Sequence, residues 1–412
     1  MAEIAAALQI AQWPPVPDLL FWVSVTLIGG ALLGETAFRW LRLPRIVGYS
    51  AAGMAVAAAG FGVVDGRLPG NARLVVDLAL ALLLFELGSR VSLRWLRANP
   101  ALLWTSVAES LVSFAAIFSA LTWLGLERNV ALACAAITAC ASGEVIGRVA
   151  TELKSAGQVT ERMVVLAALN TLFSVLMLKL IIGWVHLDQR GDWVHGLAQP
   201  LYTFGGSVLL ALLLAHAVRW VIRGFELRDE NSVLLLLGLI LLALTAARLL
   251  SLSTLLVPLL AGVLLRNASQ RPCIWPRHFG TAGGVLVLIL FVVLGSTWSV
   301  GTLAISAVAA LALLAARIAA RTLVLVATAR IGGLDMRQGL ALGMALTPLS
   351  ATTLVLLADL RVTHPDTASQ IAPVVLAAIA IMALAGPVIV QWGLRLTGDY
   401  RPQPVTVTQE RT

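Results

Sequence analysis

The sequence predicts an all-α polytopic membrane protein of about thirteen transmembrane helices, and three observations carry that prediction. Apolar residues fill 59% of the 412 positions and charged residues only 12%, too few to cover a soluble domain of this length. Mean hydropathy is correspondingly high, at +0.92. Apolar runs of the roughly 20 residues needed to cross a hydrocarbon core of about 30 Å recur along the chain. Basic residues concentrate in alternate loops, the pattern that the positive-inside rule requires of successive crossings.

The spans are expected to start near Leu19, Ile46, Leu74, Ala101, Asn129, Met163, Thr203, Ser232, Ser253, Thr281, Thr302, Gln338 and Gln370. The ninth is short, because Arg248 and Arg266 bracket it. Loops are too short to hold a folded soluble domain, so residues 19–395 read as one transmembrane domain with core spans at about 101–185 and 302–395. Residues 1–18 lack the basic start and small-residue cleavage site of a signal peptide. Residues 396–412, "LTGDYRPQPVTVTQERT", are polar and Pro-containing and are expected to be a disordered tail. The charge alternation places the N-terminus outside and the C-terminus in the cytoplasm, in a plasma (bacterial inner) membrane. The net charge of +8 belongs to cytoplasmic loops facing anionic headgroups of the lipid bilayer, not to nucleic acid. Cys134, Cys140 and Cys273 show neither disulfide nor zinc spacing and read as small apolar residues. The chain has no G-x-S-x-G, H-E-x-x-H or phosphate-binding loop, so neither an enzyme nor a bound cofactor is expected, and no metal beyond a transported one.

Two spans are irregular. The fifth, "VALACAAITACASGEVIGRV", sets Ala141, Ser142 and Gly143 immediately before Glu144. The twelfth, "LALGMALTPLSATTLVLL", has Thr347 and Pro348 in mid-membrane, followed by Ser350, Thr352 and Thr353. Irregular backbone at that depth persists only where protein buries it or a wet cavity borders it. A pair of interrupted helices in corresponding halves points to a transporter site. Spans four to six and eleven to thirteen form two triplets of opposite topology with the interruption in the middle of each, the layout of an inverted repeat. The alternative is two unrelated kinks, since Pro and Gly are common in membrane helices.

Ionisable residues inside spans cost at least a few kcal/mol, which makes each a functional candidate. Glu144 follows the small-residue break and precedes Arg148 by one turn. It reads either as a helix-end salt bridge or as a carboxylate that exchanges a proton for a cation. Arg317 and Arg321 share one face of span eleven and are fixed positive charges. They are candidate core positive charges, at least one of them in a buried structural or site-facing role, and snorkelling fits Arg321 better than Arg317, because Arg330 and Arg337 mark the nearby cytoplasmic end. Glu109 lies mid-span in the fourth helix with no obvious local partner. Glu35, Asp77, Glu86 and Asp359 lie nearer span ends, and Lys179 is expected to snorkel outward from the end of span six.

Several stretches together resemble the monovalent cation:proton antiporter superfamily, its potassium-efflux and sodium/proton exchanger branches above all. "LRLPRIVGYSAAGM" is similar to the entry to that family's second span, and "DLALALLLFELGSRVSLRWLR" to its third. "LSLSTLLVPLLAGVLLRN" resembles the ninth and "PRHFGTAGGVLVLILFVVLGS" the tenth. The resemblance covers roughly residues 20 to 395 and implies thirteen spans, two inverted repeats, crossing broken helices at spans five and twelve, and a homodimer. It places Arg321 at the family's basic position in span eleven and Ser142 at the fifth-helix break. One departure matters. Where the family carries an amide or acid followed by Asp in span six, this chain has Asn170–Thr171, and Thr has no proton to exchange.

The expected function is therefore exchange of a monovalent cation, Na⁺ or K⁺, for protons by a carboxylate displaced from its usual place. Glu144 is the first candidate and Glu109 the second, with Ser142, Asn170, Thr171 and broken-helix carbonyls as neutral oxygen donors. The alternative is a transporter-fold protein not coupled to protons: a uniporter, an anion or organic-solute carrier drawn by Arg317 and Arg321, or a non-transporting module.

Overall fold

The computed structural model describes residues 19–58, 70–190, 193–224, 229–268, 279–297 and 300–399, and no strand occurs among them. Cys273, residues 1–18 and all of the tail beyond Asp399 lie outside the described residues. The first six helices are α1 (Leu19–Arg39), α2 (Arg45–Val56), α3 (Gly70–Ser89), α4 (Leu93–Ala98), α5 (Pro100–Trp123) and α6 (Arg128–Thr138). They are followed by α7 (Gly143–Glu152), α8 (Gln158–Arg190), α9 (Trp193–Gly224), α10 (Asp229–Leu249) and α11 (Leu256–Ala268). The last five are α12 (Phe279–Gly295), α13 (Val300–Ala329), α14 (Met336–Ala345), α15 (Ala351–Thr363) and α16 (Pro365–Thr397).

Six segments among the described residues are long and apolar enough to cross a membrane, and one of them, Arg128–Glu152, includes the non-helical residues between α6 and α7. Most helix starts fall within a few residues of their apolar runs. The largest gap is α9, expected near Thr203 but beginning at Trp193 with Pro200 inside it. Hydropathy marks where lipid begins, whereas the backbone ladder continues into the polar flank beyond it.

Local sequence explains several ends. Pro100 opens α5 and Pro365 opens α16, positions where the missing N–H is no loss. Asp335 and Gln338 form a capping box at the start of α14. Gly398, left-handed at φ 76°, ends α16, and the next residue is not free. The Asp399 carboxylate accepts bonds from the Thr160 N–H (2.9 Å) and hydroxyl (2.8 Å) at the start of α8. The first residues of the expected tail, through Asp399, are therefore docked, because they satisfy donors that α8 otherwise leaves open.

Two hydrophobic clusters organise the packing. The smaller joins α3, α9, α10 and α11 around Phe85, Ile240, Val257 and Ala261. The larger runs through α2, α3, α5 to α8 and α12 to α16. Close helix approach depends on missing side chains. A Cβ at Gly88 would strike the Leu259 carbonyl, and one at Gly262 the Phe85 carbonyl, so α3 and α11 meet backbone to backbone. Gly53 and Gly295 do the same for α2 and α12. Small residues at such contacts are how membrane helices gain van der Waals packing without a hydrophobic driving force. Large apolar side chains such as Trp104, Leu213, Leu242, Val308 and Leu323 face outward, the exterior a lipid-facing protein requires.

Candidate functional site

Helix α6 stops at Thr138 and α7 starts at Gly143, while α14 stops at Ala345 and α15 starts at Ala351. The non-helical stretches lie against each other: the Ser142 N–H donates to the Pro348 carbonyl at 3.0 Å, and the Ser142 hydroxyl to the Ser350 hydroxyl at 3.0 Å. Each interruption exposes carbonyls at one helix end and N–H groups at the next, all inside the protein.

The carbonyls are met by α13. Arg317 and Arg321 are both completely buried. Arg317 Nε donates to the Thr347 carbonyl at 3.1 Å, and its terminal nitrogens to the Thr138 and Cys140 carbonyls. Arg321 donates to the carbonyls of Leu346 and Ala139. Two guanidiniums one turn apart thus bind both helix C-termini, where the helix dipole favours positive charge. The snorkelling expected of Arg321 does not occur, because these carbonyls outbid the membrane surface for the guanidinium.

The N–H ends are met by Glu144, which is 1% exposed. Its carboxylate accepts from the Ser350 hydroxyl (2.7 Å), the Thr352 N–H (3.0 Å) and the Thr352 hydroxyl (2.9 Å). Glu144 sits in the first turn of α7, capped by the Ser142 hydroxyl, and also bonds the first turn of α15. A carboxylate there faces the positive ends of two helices at once. Its bonds go across the crossing, and none is recorded to Arg148. Gly143 instead seats α7 against α3, since a Cβ there would meet the end of the Leu87 side chain.

Asn170 and Thr171 are fully buried in α8, yet neither hydrogen-bonds Glu144. Asn170 Oδ1 accepts from the Ser110 hydroxyl at 2.9 Å, and the Thr171 hydroxyl donates to the Ala167 carbonyl of its own helix at 2.9 Å. Glu109 has the partner its own helix does not show. Its Oε1 lies 2.8 Å from Arg321 Nε, both groups fully buried, and accepts from the Ser113 hydroxyl at 3.2 Å. The Arg321 N–H is not aimed along that contact, so it is an ion pair rather than a hydrogen bond, and Glu109 Oε2 and Asn170 Nδ2 lack hydrogen-bond partners. Lys179 turns inward instead of snorkelling and pairs with Asp359 of α15 at 2.7 Å. The sequence reading does not single out Ser110 and Ser113, although their spacing beside Glu109 puts them along one buried side of α5.

A cavity of about 150 Å³ reaches Glu144, bordered also by Glu86, Arg90, Arg148 and Thr151. Arg90 bridges its walls, donating to Glu86 on α3 at 2.6 Å and to the Thr151 hydroxyl on α7 at 3.0 Å. A wider cleft of about 590 Å³ also borders Arg90 and opens between α3, α4, α11 and the start of α8. A buried carboxylate, ringed by hydroxyls and served by a cavity, suits binding and release of a small cation or proton. A family model described as sodium/hydrogen exchanger, transmembrane, matches residues 24–395. The chain belongs to the sodium/hydrogen exchanger family. It is a membrane transport protein of that family, not an enzyme, and the family's activity is cation/proton exchange. Its structure is similar to that of the sodium proton antiporter MjNhaP1 from Methanocaldococcus jannaschii at pH 8, with TM-score 0.67 and 17% identity over 92% of this chain and 95% of that one. An electron-microscopy map of the same antiporter aligns with TM-score 0.65 and 16% identity over 98% and 95%. At such identity the likeness establishes the exchanger fold alone. Among curated protein sequences there is no match.

Proposed function

We propose that this exchanger swaps Na⁺ or K⁺ for protons at Glu144. The observation that carries the reading is the seat of Glu144 across the crossing, on Ser350 and Thr352, rather than out toward Arg148. In the cation-loaded state the carboxylate supplies charge, and the hydroxyls of Ser142, Ser350 and Thr352 turn lone pairs toward the ion, a hard oxygen set suited to a hard monovalent cation. In the proton-loaded state the same hydroxyls accept or donate by rotation, so one site holds either ligand but not both. Thr171 lacks a proton to exchange, and Asn170 is engaged with Ser110, so span six supplies polar lining instead of the carrier.

The anion-carrier alternative loses its attraction, since the donors of Arg317 and Arg321 are occupied by helix-end carbonyls. Counting α6 with α7 and α14 with α15 as single interrupted crossings, and setting aside the six-residue α4, gives thirteen crossings. That count supports inverted repeats with both interruptions at mid-membrane. The alternation of basic loops supports an outside N-terminus and a cytoplasmic cavity mouth at Arg90, while the homodimer and the inner membrane rest on the family resemblance alone. The test is cation-driven proton movement in proteoliposomes. Wild-type protein is expected to move protons on addition of Na⁺ or K⁺, and Glu144→Gln to abolish it. Undiminished exchange in a folded Glu144→Gln removes Glu144 from the role.

A further inference from the structure

Four charged side chains lie sealed around the two interruptions: Arg317 and Arg321 on α13, Glu109 on α5 and Glu144 on α7, each at most 1% exposed. With both carboxylates ionised their charges cancel. Only Glu144 borders the cavity; Glu109 is behind Arg321, reached by neither the cavity nor the wider cleft. Its geometry is that of a holder. One oxygen sits against Arg321 and accepts from Ser113, while the other has no hydrogen-bond partner. A carboxylate set against a guanidinium inside the protein pairs with it and fixes its place in turn. Arg321 then has its terminal nitrogens free for the Leu346 and Ala139 carbonyls of the two interruptions.

We propose that Glu109 is a positioning residue for exchange: through Arg321 it balances the charge of the crossing, and that balance sets how firmly Glu144 holds a proton or a cation. The inference rests on the reading of Glu144 as the exchanging carboxylate. The other charged groups around Glu144 are Arg148 on its own helix, and Glu86 and Arg90 on α3 across the cavity. The Cys140 thiol lies at the neighbouring interruption, 3.7 Å from the Thr171 hydroxyl. On α8 the charged residues that flank its buried middle are Glu161 and Arg162 at its start and Lys179 beyond its middle; on α15 they are Asp359 and Arg361 toward its end, and on α16 Asp366 in the first turn and Arg395 near the end. Arg90 and Glu86 pair with each other, so the uncompensated charge on losing Glu109 is that of Arg321.

The experiment is cation-driven proton movement in proteoliposomes across a pH series and a cation series, for wild type, Glu109→Gln and Glu109→Asp. Folding is monitored by monodisperse elution and thermal unfolding. In Glu109→Gln the site gains one net positive charge, which disfavours proton and cation alike. The expected result is a pH profile moved to lower pH by about one unit and a cation KM raised several-fold, with the maximal rate changed much less. A shift of about one unit is about 1.4 kcal/mol, the order of magnitude of one unpaired unit charge acting through protein at an effective dielectric of about 20. Glu109→Asp keeps the charge but not the reach to Arg321, and is expected to move the profile in the same direction by less. It serves as the readout if Glu109→Gln does not fold. An unmoved profile and KM in a folded Glu109→Gln overturns the inference. Complete loss of exchange in a folded Glu109→Gln also overturns it, since Glu109 is then a carrier itself. Glu144→Gln keeps the two readings apart: exchange surviving there refutes the site, while loss there with an unmoved Glu109→Gln profile refutes only the role of Glu109.

Discussion

Replacing Arg317 with Met removes the guanidinium that joins the two interruptions and leaves a side chain of similar length in the same apolar surroundings. Arg317 is fully buried and donates to the Thr138, Cys140 and Thr347 carbonyls, with longer 3.4 Å contacts to Leu346 and Pro348. Arg321 already serves Leu346, so the substitution strands three carbonyls. Each buried carbonyl left unpaired costs about 1–3 kcal/mol, while the variant is relieved of desolvating one guanidinium. The expected net loss is about 3–4 kcal/mol, a large part of the roughly 5–15 kcal/mol by which folded domains are stable. Thermal unfolding in detergent measures the stability, and proteoliposome exchange measures the site. Arg317→Lys is expected to fall between the two, because a single ammonium lacks the planar fork that reaches both interruptions. An unfolding midpoint and exchange rate in Arg317→Met matching wild type would refute the idea that this side chain holds the interruptions together.

Three further outcomes are expected. With Glu144 the one of the two buried carboxylates that borders the cavity, each turnover is expected to trade one proton for one monovalent cation, so an imposed membrane potential is expected to leave the exchange rate unchanged; a rate that follows the potential argues for a second carrier. Gly262→Ala pushes a Cβ into the Phe85 carbonyl and is expected to cost about 1–3 kcal/mol by forcing α3 and α11 apart, read as a lowered unfolding temperature. The Lys179–Asp359 pair has its Asp side chain 45% exposed, so a double-mutant cycle with Lys179→Met and Asp359→Asn is expected to give a coupling of about 1 kcal/mol or less; a coupling several times larger would mean the pair is shielded from solvent.

The candidate site was partly legible in the sequence. Ser142–Gly143 and Thr347–Pro348 stand out because each sets a helix breaker or a run of small residues beside polar side chains at mid-span, whereas Pro200, Pro373 and Pro387 lie inside continuous helices. Arg317 and Arg321 stand out because Arg in mid-membrane is costly. Their targets were not legible. Spacing along one helix offered Arg148 to Glu144 and only the Ser113 hydroxyl to Glu109, since a single helix displays only its i,i+3 and i,i+4 pairs. The charged and helix-end partners lie on other helices. Ser350 is 206 positions from Glu144, and Arg321 reaches Ala139 across 182.

Lys179 teaches the same lesson from the other side: snorkelling is the right default for a Lys near a span end, and a carboxylate on α15 displaced it. By itself the sequence determined the class of protein and its apolar helices, because hydropathy and charge act locally. Only the tertiary structure decided which buried charge answers which helix end. That choice depends on how α5, α7, α13 and α15 come together, and a buried charge takes whichever oppositely charged or dipolar partner that packing delivers.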